Sequence, residues 1–239
     1  MLEAIETMRY NLAILPMAVC MVTVVVCGPV NSTKNPCASA TPMMGADSVS
    51  MFTTYLVNAQ VYFEWGSGRS TIYAAAHVDH VISVEGSLQW CTMMLQQPSS
   101  LTCWIRANRV SYLCLQLGPI SKRFATPHSV RSIRSRNITY NVWQPYISVI
   151  DAYEVGMISL VLVDGRFRVA CALKALPHLI ASNGTLLLHD AHRSKYDTIR
   201  TYYDTVLTAG SLHALRPKQH LTSEVVKNAW LNYRTDHAR

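Results

Sequence analysis

Seven cysteines are scattered over the 239 residues, yet no two of them stand as C-x-x-C. That absence removes the usual spacing of structural zinc sites and of dithiol redox motifs. Charge is also scarce, because Asp, Glu, Lys and Arg make up only 15% of the chain. With 50% hydrophobic residues there is material for a large core, and one domain of about 190 residues behind an N-terminal appendage is the simplest count. Two nucleotide signatures are incomplete. The turn Gly66-Ser67-Gly68 is not followed by Gly-Lys-Ser/Thr, so the lysine that grips phosphates in nucleoside triphosphatases is missing. The dinucleotide pattern G-x-G-x-x-G fails as well, since Thr71 stands at its last position. No internal repeat or low-complexity tract is present.

What is present begins with Val61-Tyr62-Phe63-Glu64-Trp65-Gly66-Ser67-Gly68-Arg69-Ser70-Thr71, an apolar run that ends in an acid and opens into a glycine turn. Glycine allows positive φ and close backbone approach, and a helix N-terminus behind it offers free N–H groups. The same grammar recurs three times. Val81-Ile82-Ser83-Val84 ends at Glu85, Leu160-Val161-Leu162-Val163 at Asp164, and Thr185-Leu186-Leu187-Leu188-His189 at Asp190. Apolar β-branched runs of this kind predict buried parallel strands, whose carboxyl ends are where open α/β sheets bind ligands. Burial alone accounts for the apolar runs but not for Glu64, Glu85, Asp164 and Asp190 all falling at one edge.

Periodicity and turn signals predict the remaining elements. A lead-in helix over 47–59, capped by Asp47 or Ser48, precedes the first strand at 61–65. Helices follow at 70–76 and 87–97 around the strand 81–85, with a third strand at 110–117 stopped by Gly118-Pro119. Thr139 to Tyr153 reads as a helix interrupted near Pro145, and further helices fall at 167–176 and 193–203. The runs 203–209 and 211–216, divided by Gly210, read as an antiparallel pair, which makes seven strands. The fold expected is α/β, a Rossmann-like mostly parallel sheet with helices on both faces and an antiparallel last strand.

The chain resembles the class I S-adenosylmethionine-dependent methyltransferases, and within them a methyltransferase-like group that carries four motifs. Here these are Glu64 to Thr71, Ser83-Val84-Glu85, Val163 to Ala172, and His189-Asp190 with Arg193 and Tyr196, covering about residues 50 to 220. Arg69 departs from the pattern, standing where such turns more often carry glycine, and Ser70 replaces the third glycine of the wider superfamily. The resemblance implies that Gly66, Ser67, Gly68 and Ser70 form the cofactor turn. It implies that Glu85 holds the ribose diol, that Glu64 sits near the amino-acid end, and that Asp164 lies where methyl transfer occurs. Asp164, His189 and Asp190 also fall near positions that bind a divalent cation in cation-dependent O-methyltransferases, which makes Asp164 and Asp190 metal candidates. The alternatives are His189 as a general base oriented by a carboxylate, or Asp190 as a helix N-cap with His189 packed beneath it. Methyl transfer from S-adenosylmethionine to an oxygen of a small molecule or glycan is the activity expected. The rivals are a cofactor-binding protein without activity and, last, a nucleic-acid methyltransferase.

Leu12 to Val30 is a 19-residue stretch without charge, near the ~20 residues that span a bilayer core. It reads as a signal anchor or signal peptide over 1–30, followed by a linker over 31–46 and the domain over 47–239. Membrane attachment through 12–30 and a secretory or secreted location are therefore expected, and the sequons at Asn31, Asn137 and Asn183 are compatible with that route. Cys91, Cys103 and Cys114 lie in apolar surroundings that favour buried free thiols, with pairing open in an oxidising compartment. The net charge of +7 is uneven: Lys122, Arg123, Arg131, Arg134 and Arg136 occur with no acid between them. Aromatics for base stacking are sparse there, so this stretch reads as a solvated loop before it reads as a nucleic-acid patch.

Overall fold

The computed structural model describes residues 37–96, 100–115 and 139–234. The apolar stretch 12–30, the basic stretch 122–136 and the sequons at Asn31 and Asn137 lie outside them. Among the described residues no helix is long and apolar enough to cross a membrane.

Seven strands form one sheet: β1 Val61–Trp65, β2 His80–Glu85, β3 Val110–Cys114, β4 Leu160–Val163, β5 Thr185–His189, β6 Tyr203–Ala209 and β7 Leu212–Pro217. Their spatial order is β3-β2-β1-β4-β5-β7-β6. The first five strands pair parallel, and β7 runs antiparallel between β5 and β6. Parallel strands need crossovers, and these put helices on both faces. One core lies between the sheet and the helices α5 Thr139–Ser148, α6 Arg168–Ala181 and α7 Ser223–Tyr233, and includes Phe63, Trp65, Val161 and Leu176. The other gathers Phe52, Tyr62, Leu101 and Trp104 beneath α1 Ala46–Leu56, α2 Arg69–Ala75, α3 Leu88–Gln96 and α4 Ser100–Arg106. Strand alternation explains the division: Tyr62 and Glu64 face the second core, Phe63 and Trp65 the first.

Several boundaries moved for local reasons. Gly45 caps α1 instead of Asp47 or Ser48. Ser48 is buried, and its hydroxyl donates to Ala209 O at 2.7 Å, which ties α1 to the distant end of β6. The predicted helix 87–97 is followed by a separate α4, with Pro98 between them in the sequence. Pro145 lies inside α5, which tightens to 3₁₀ geometry only at Val149–Ala152. In α6 the helix runs on past Pro177 to Ala181, because Ala175, Leu176, His178 and Leu179 are buried. Residues 194–201 form a 3₁₀ helix, and α7, capped by Thr222, was not expected at all.

The cysteines correct the sequence reading. Cys37 pairs with Cys103 and Cys91 with Cys114, leaving Cys171 as the free buried thiol among the described residues. Residues 37–45, expected as the end of a linker, are therefore stapled to α4, and Trp104 Nε1–H donates to Ala38 O at 3.3 Å. The pairing was not legible because the cysteines lie 66 and 23 residues apart and only the fold brings them together. Closing a loop of 66 residues restricts the unfolded chain by about 4 kcal/mol. Cys37→Ser is expected to lose roughly that much stability in urea unfolding, and a reductant should erase the difference from wild type.

Candidate active site

Beneath the glycine turn lies a buried carboxylate. Glu64 is fully buried, and its oxygens accept hydrogen bonds from Ser83 Oγ at 2.7 Å, Tyr62 Oη at 2.8 Å, Ser70 Oγ at 3.1 Å and Thr71 Oγ1. Thr71 Oγ1 in turn accepts from Gly68 N–H at 3.0 Å. Glu64 thus braces β1, β2 and the start of α2 from inside. Its carboxylate is buried beneath the glycine turn and meets the start of α2 through Ser70 and Thr71, not through an exposed face. Ser70 points inward with it. The spacing showed an acid at a strand end, but only the sheet decides which way its side chain faces.

Burial pushes the Glu64 carboxyl from its ordinary 4.5 up to about 7, against the four hydroxyls that pull it down. Between those values the folded chain keeps a proton that the unfolded chain has released. Stability from this group is therefore full below pH ~4.5 and lost as pH rises to ~7, by roughly 3 kcal/mol. Urea unfolding at pH 5 and pH 8 should show that loss in wild type and a flatter profile in Glu64→Gln.

The two glycines of the turn have different roles. Gly66 has φ +95°, and a Cβ there would lie 2.6 Å from Gly165 N and 2.7 Å from Gly165 Cα. It is needed where the turn after β1 meets the turn after β4. Gly68 is extended, and a Cβ there would meet nothing within 4 Å. Open space therefore lies at Gly68, while Arg69 is exposed at the start of α2.

Glu85 stands next to this turn at the end of β2. Its carboxylate accepts from Ser67 N–H at 3.1 Å, Ser67 Oγ at 3.0 Å and Ser87 N–H at 2.8 Å. Ser67 has a single hydroxyl proton, so Tyr112 Oη, 2.7 Å away, must donate to Ser67. Burial raises the Glu85 carboxyl, and these amide and hydroxyl donors oppose the rise. Trp90, 39% exposed, lies across the turn and donates its Nε1–H to Ser67 O at 3.0 Å. Neither Trp90 nor Tyr112 stood out in the sequence, because each reaches the turn from another element, Trp90 from α3 and Tyr112 from β3.

A second cluster lies at the ends of β4 and β5. Arg168, 7% exposed, sits between the two carboxylates, with Nη2 3.0 Å from Asp164 Oδ1 and Nη1 3.3 Å from Asp190 Oδ2. It also donates to Gly165 O at 3.1 Å, to Asp164 O at 2.9 Å and to His189 O. Arg193 pairs with Asp190 at 2.9 Å. Asp190 has φ +55° and is no helix cap, since Arg193 caps the 3₁₀ helix. His189 Nδ1 lies 3.0 Å from Asp164 Oδ1, and Nε2 lies 3.0 Å from Ser211 Oγ in the β6–β7 turn. The Asp164 hydrogen bond raises the imidazole's pKa first of all, with burial and Arg168 opposing it.

Asp164, His189 and Asp190 offer ligand atoms within 4.8 Å of one another. They do not fit a divalent cation. The Arg168 guanidinium bridges both carboxylates and Arg193 adds a second cation at Asp190, so their two charges are already balanced, and His189 Nδ1 is engaged by Asp164 where a ligating nitrogen must be bare. Asp164 and Asp190 are therefore not read as metal ligands. Of the expected residues, Gly68, Ser67 and Glu85 come together at one part of the edge and Asp164, His189 and Asp190 at another. Arg168 joins the second group from the first residue of α6, reaching back to the acids at the ends of β4 and β5.

No protein-family model matches the chain, and no curated protein matches it. Among solved structures it is similar to that of a methyltransferase-like protein from Silicibacter pomeroyi, with a TM-score of 0.59 and 24% sequence identity. The match covers 82% of this chain and 98% of that one. At that identity the likeness shows the fold, a methyltransferase-like seven-stranded α/β sheet.

Proposed function

We propose that this protein binds S-adenosylmethionine at the carboxyl ends of β1 and β2 and transfers its methyl group to an oxygen of a small molecule or glycan. The observation that carries the reading is the open space at Gly68 beside Glu85, a carboxylate already oriented by Ser67 and Ser87. Gly68 admits the cofactor to the backbone. Glu85 accepts from the ribose diol, sharing its carboxylate with the Ser67 hydroxyl. S-adenosylmethionine supplies an electrophilic methyl group. In-line displacement depends chiefly on positioning, and a base is needed only when the acceptor must lose a proton. His189, oriented by Asp164, meets that need. Arg168 holds the Asp164 and Asp190 backbone turns so that the imidazole keeps its place.

The two disulfides support an oxidising compartment, and with the apolar stretch 12–30 they favour a membrane-anchored or secreted protein. The unit proposed is a domain from about residue 47 onward, with 37–46 stapled to it.

Titration calorimetry with S-adenosylmethionine tests the reading. Wild type should bind in about the micromolar range. Hydrogen bonds to a charged group contribute about 1.5–3 kcal/mol, so Glu85→Ala should bind roughly 10–100-fold more weakly. No heat from wild type, or equal binding by a folded Glu85→Ala, ends the proposal. Binding without methylation of any hydroxyl acceptor would leave a cofactor-binding protein with this fold.

A further inference from the structure

The β6–β7 hairpin delivers a side chain to the second cluster that no strand end supplies. Gly210, with φ +57°, turns the chain so that Ala209 and Leu212 pair across the hairpin. The turn is held from two sides: Ala191 N–H donates to Ser211 O at 3.2 Å, and Ser48 donates to Ala209 O at 2.7 Å. Ser211, itself part-exposed, is thereby fixed with Oγ 3.0 Å from His189 Nε2.

Both ring nitrogens of His189 are consequently occupied. Asp164, paired with Arg168, is an acceptor, so in the neutral ring Nδ1 carries the proton and Nε2 is the accepting nitrogen. Ser211 then donates to Nε2. An acceptor molecule cannot approach His189 at either nitrogen without displacing one of these partners. The side chain still able to meet it is the serine hydroxyl, whose oxygen keeps a free lone pair.

We propose that Ser211 is the hydroxyl through which His189 acts, the outer end of an Asp164–His189–Ser211 proton relay. The reaction it serves rests on the methyl-transfer reading; the relay geometry does not. In the step, the acceptor O–H passes its proton to Ser211 Oγ while the Ser211 proton passes to His189 Nε2. The acceptor oxygen uses the freed electron pair to bond the methyl carbon, and the carbon–sulfur pair remains on the sulfur. Ser211 ends unchanged, one proton has moved to His189, and Asp164 faces the imidazolium through Nδ1–H. Around the ring stand Asp164 after β4, Asp190 after β5, Arg168 from α6 and Ser211 from the hairpin. The carboxylates favour the imidazolium and Arg168 and burial oppose it, with a net rise. The relay therefore works on the alkaline side of an ordinary histidine's titration.

Imidazole ¹⁵N spectra of the full-length chain from pH 5 to 9 test the geometry directly. The neutral His189 ring should carry its proton on Nδ1. Ser211→Ala should move the Nε2 resonance to that of an unbonded nitrogen and leave Nδ1–H in place, and Ser211→Thr should restore it. A wild-type ring protonated at Nε2, or an Nε2 resonance indifferent to Ser211→Ala, overturns the relay. In a second arm, methyl transfer to sugars, phenols and simple alcohols is followed. Ser211→Ala should lower kcat on the order of 100-fold with S-adenosylmethionine affinity unchanged, and Ser211→Thr should recover most of it. An unchanged kcat overturns the relay. An inactive wild type ends the methyl-transfer reading instead, and the relay then stands or falls on the Nε2 resonance.

Discussion

Arg168→Met should lower stability by about 3 kcal/mol, the lower end of the cost of stripping one partner from a buried ion pair. The methionine keeps most of the apolar stem, so the loss reports the guanidinium. Without it, the Asp164 and Asp190 carboxylates face each other across the site, and the carbonyls of Asp164, Gly165 and His189 lose their donor. The cost is held down because the Asp164 side chain is 34% exposed and Arg193 still pairs with Asp190. Urea unfolding should show a lower midpoint at unchanged m. Arg168→Lys should rescue little, since one ammonium cannot bridge two carboxylates and three carbonyls at once. Adding Asp190→Asn to Arg168→Met should recover part of the loss, a non-additivity expected of groups in contact. The guanidinium opposes the imidazolium of His189, so the His189 pKa should rise in Arg168→Met. A His189 titration unmoved by the substitution would separate Arg168 from the imidazole.

Gly66→Ala and Gly68→Ala should fail in opposite ways. At Gly66 a methyl group meets the Asp164–Gly165 backbone at 2.6–2.9 Å with φ at +95°, so the backbone itself must shift. Left-handed strain and a backbone clash together should cost about 4 kcal/mol, enough to prevent folding of a marginal domain. At Gly68 the backbone is extended and the methyl group meets nothing, so stability should stay within about 0.5 kcal/mol. If the open space is the cofactor seat, that same methyl group should weaken S-adenosylmethionine binding on the order of 100-fold, about 2.7 kcal/mol. Thermal melts and calorimetry on the two variants read this directly. Wild-type affinity in Gly68→Ala would place the cofactor elsewhere.

The periodic parts of this fold were legible because a buried parallel strand needs an unbroken apolar run. Val61–Trp65, His80–Glu85 and Leu160–Val163 occur close to where the runs predict them, as do β5 to β7. Legibility stopped where a residue's role depends on a partner far along the chain. Glu64 and Glu85 look alike in the sequence, each an acid closing an apolar run. The sheet places Glu85 at the open edge and turns Glu64 into the interior, where four hydroxyls surround it. The cysteines show the same limit, as does Ser211, which reaches His189 across 22 residues and the β6–β7 turn.

The sequence by itself determined the α/β alternation, the glycine turn and the acids closing the strands, because all three follow from local backbone geometry and one-dimensional burial. Only the tertiary structure decided which acid faces a ligand, which cysteines pair, and that Arg168 and Ser211 complete the cluster around His189. Those outcomes depend on side-chain direction and on contacts between strands distant in the chain, and local preference carries no information about either.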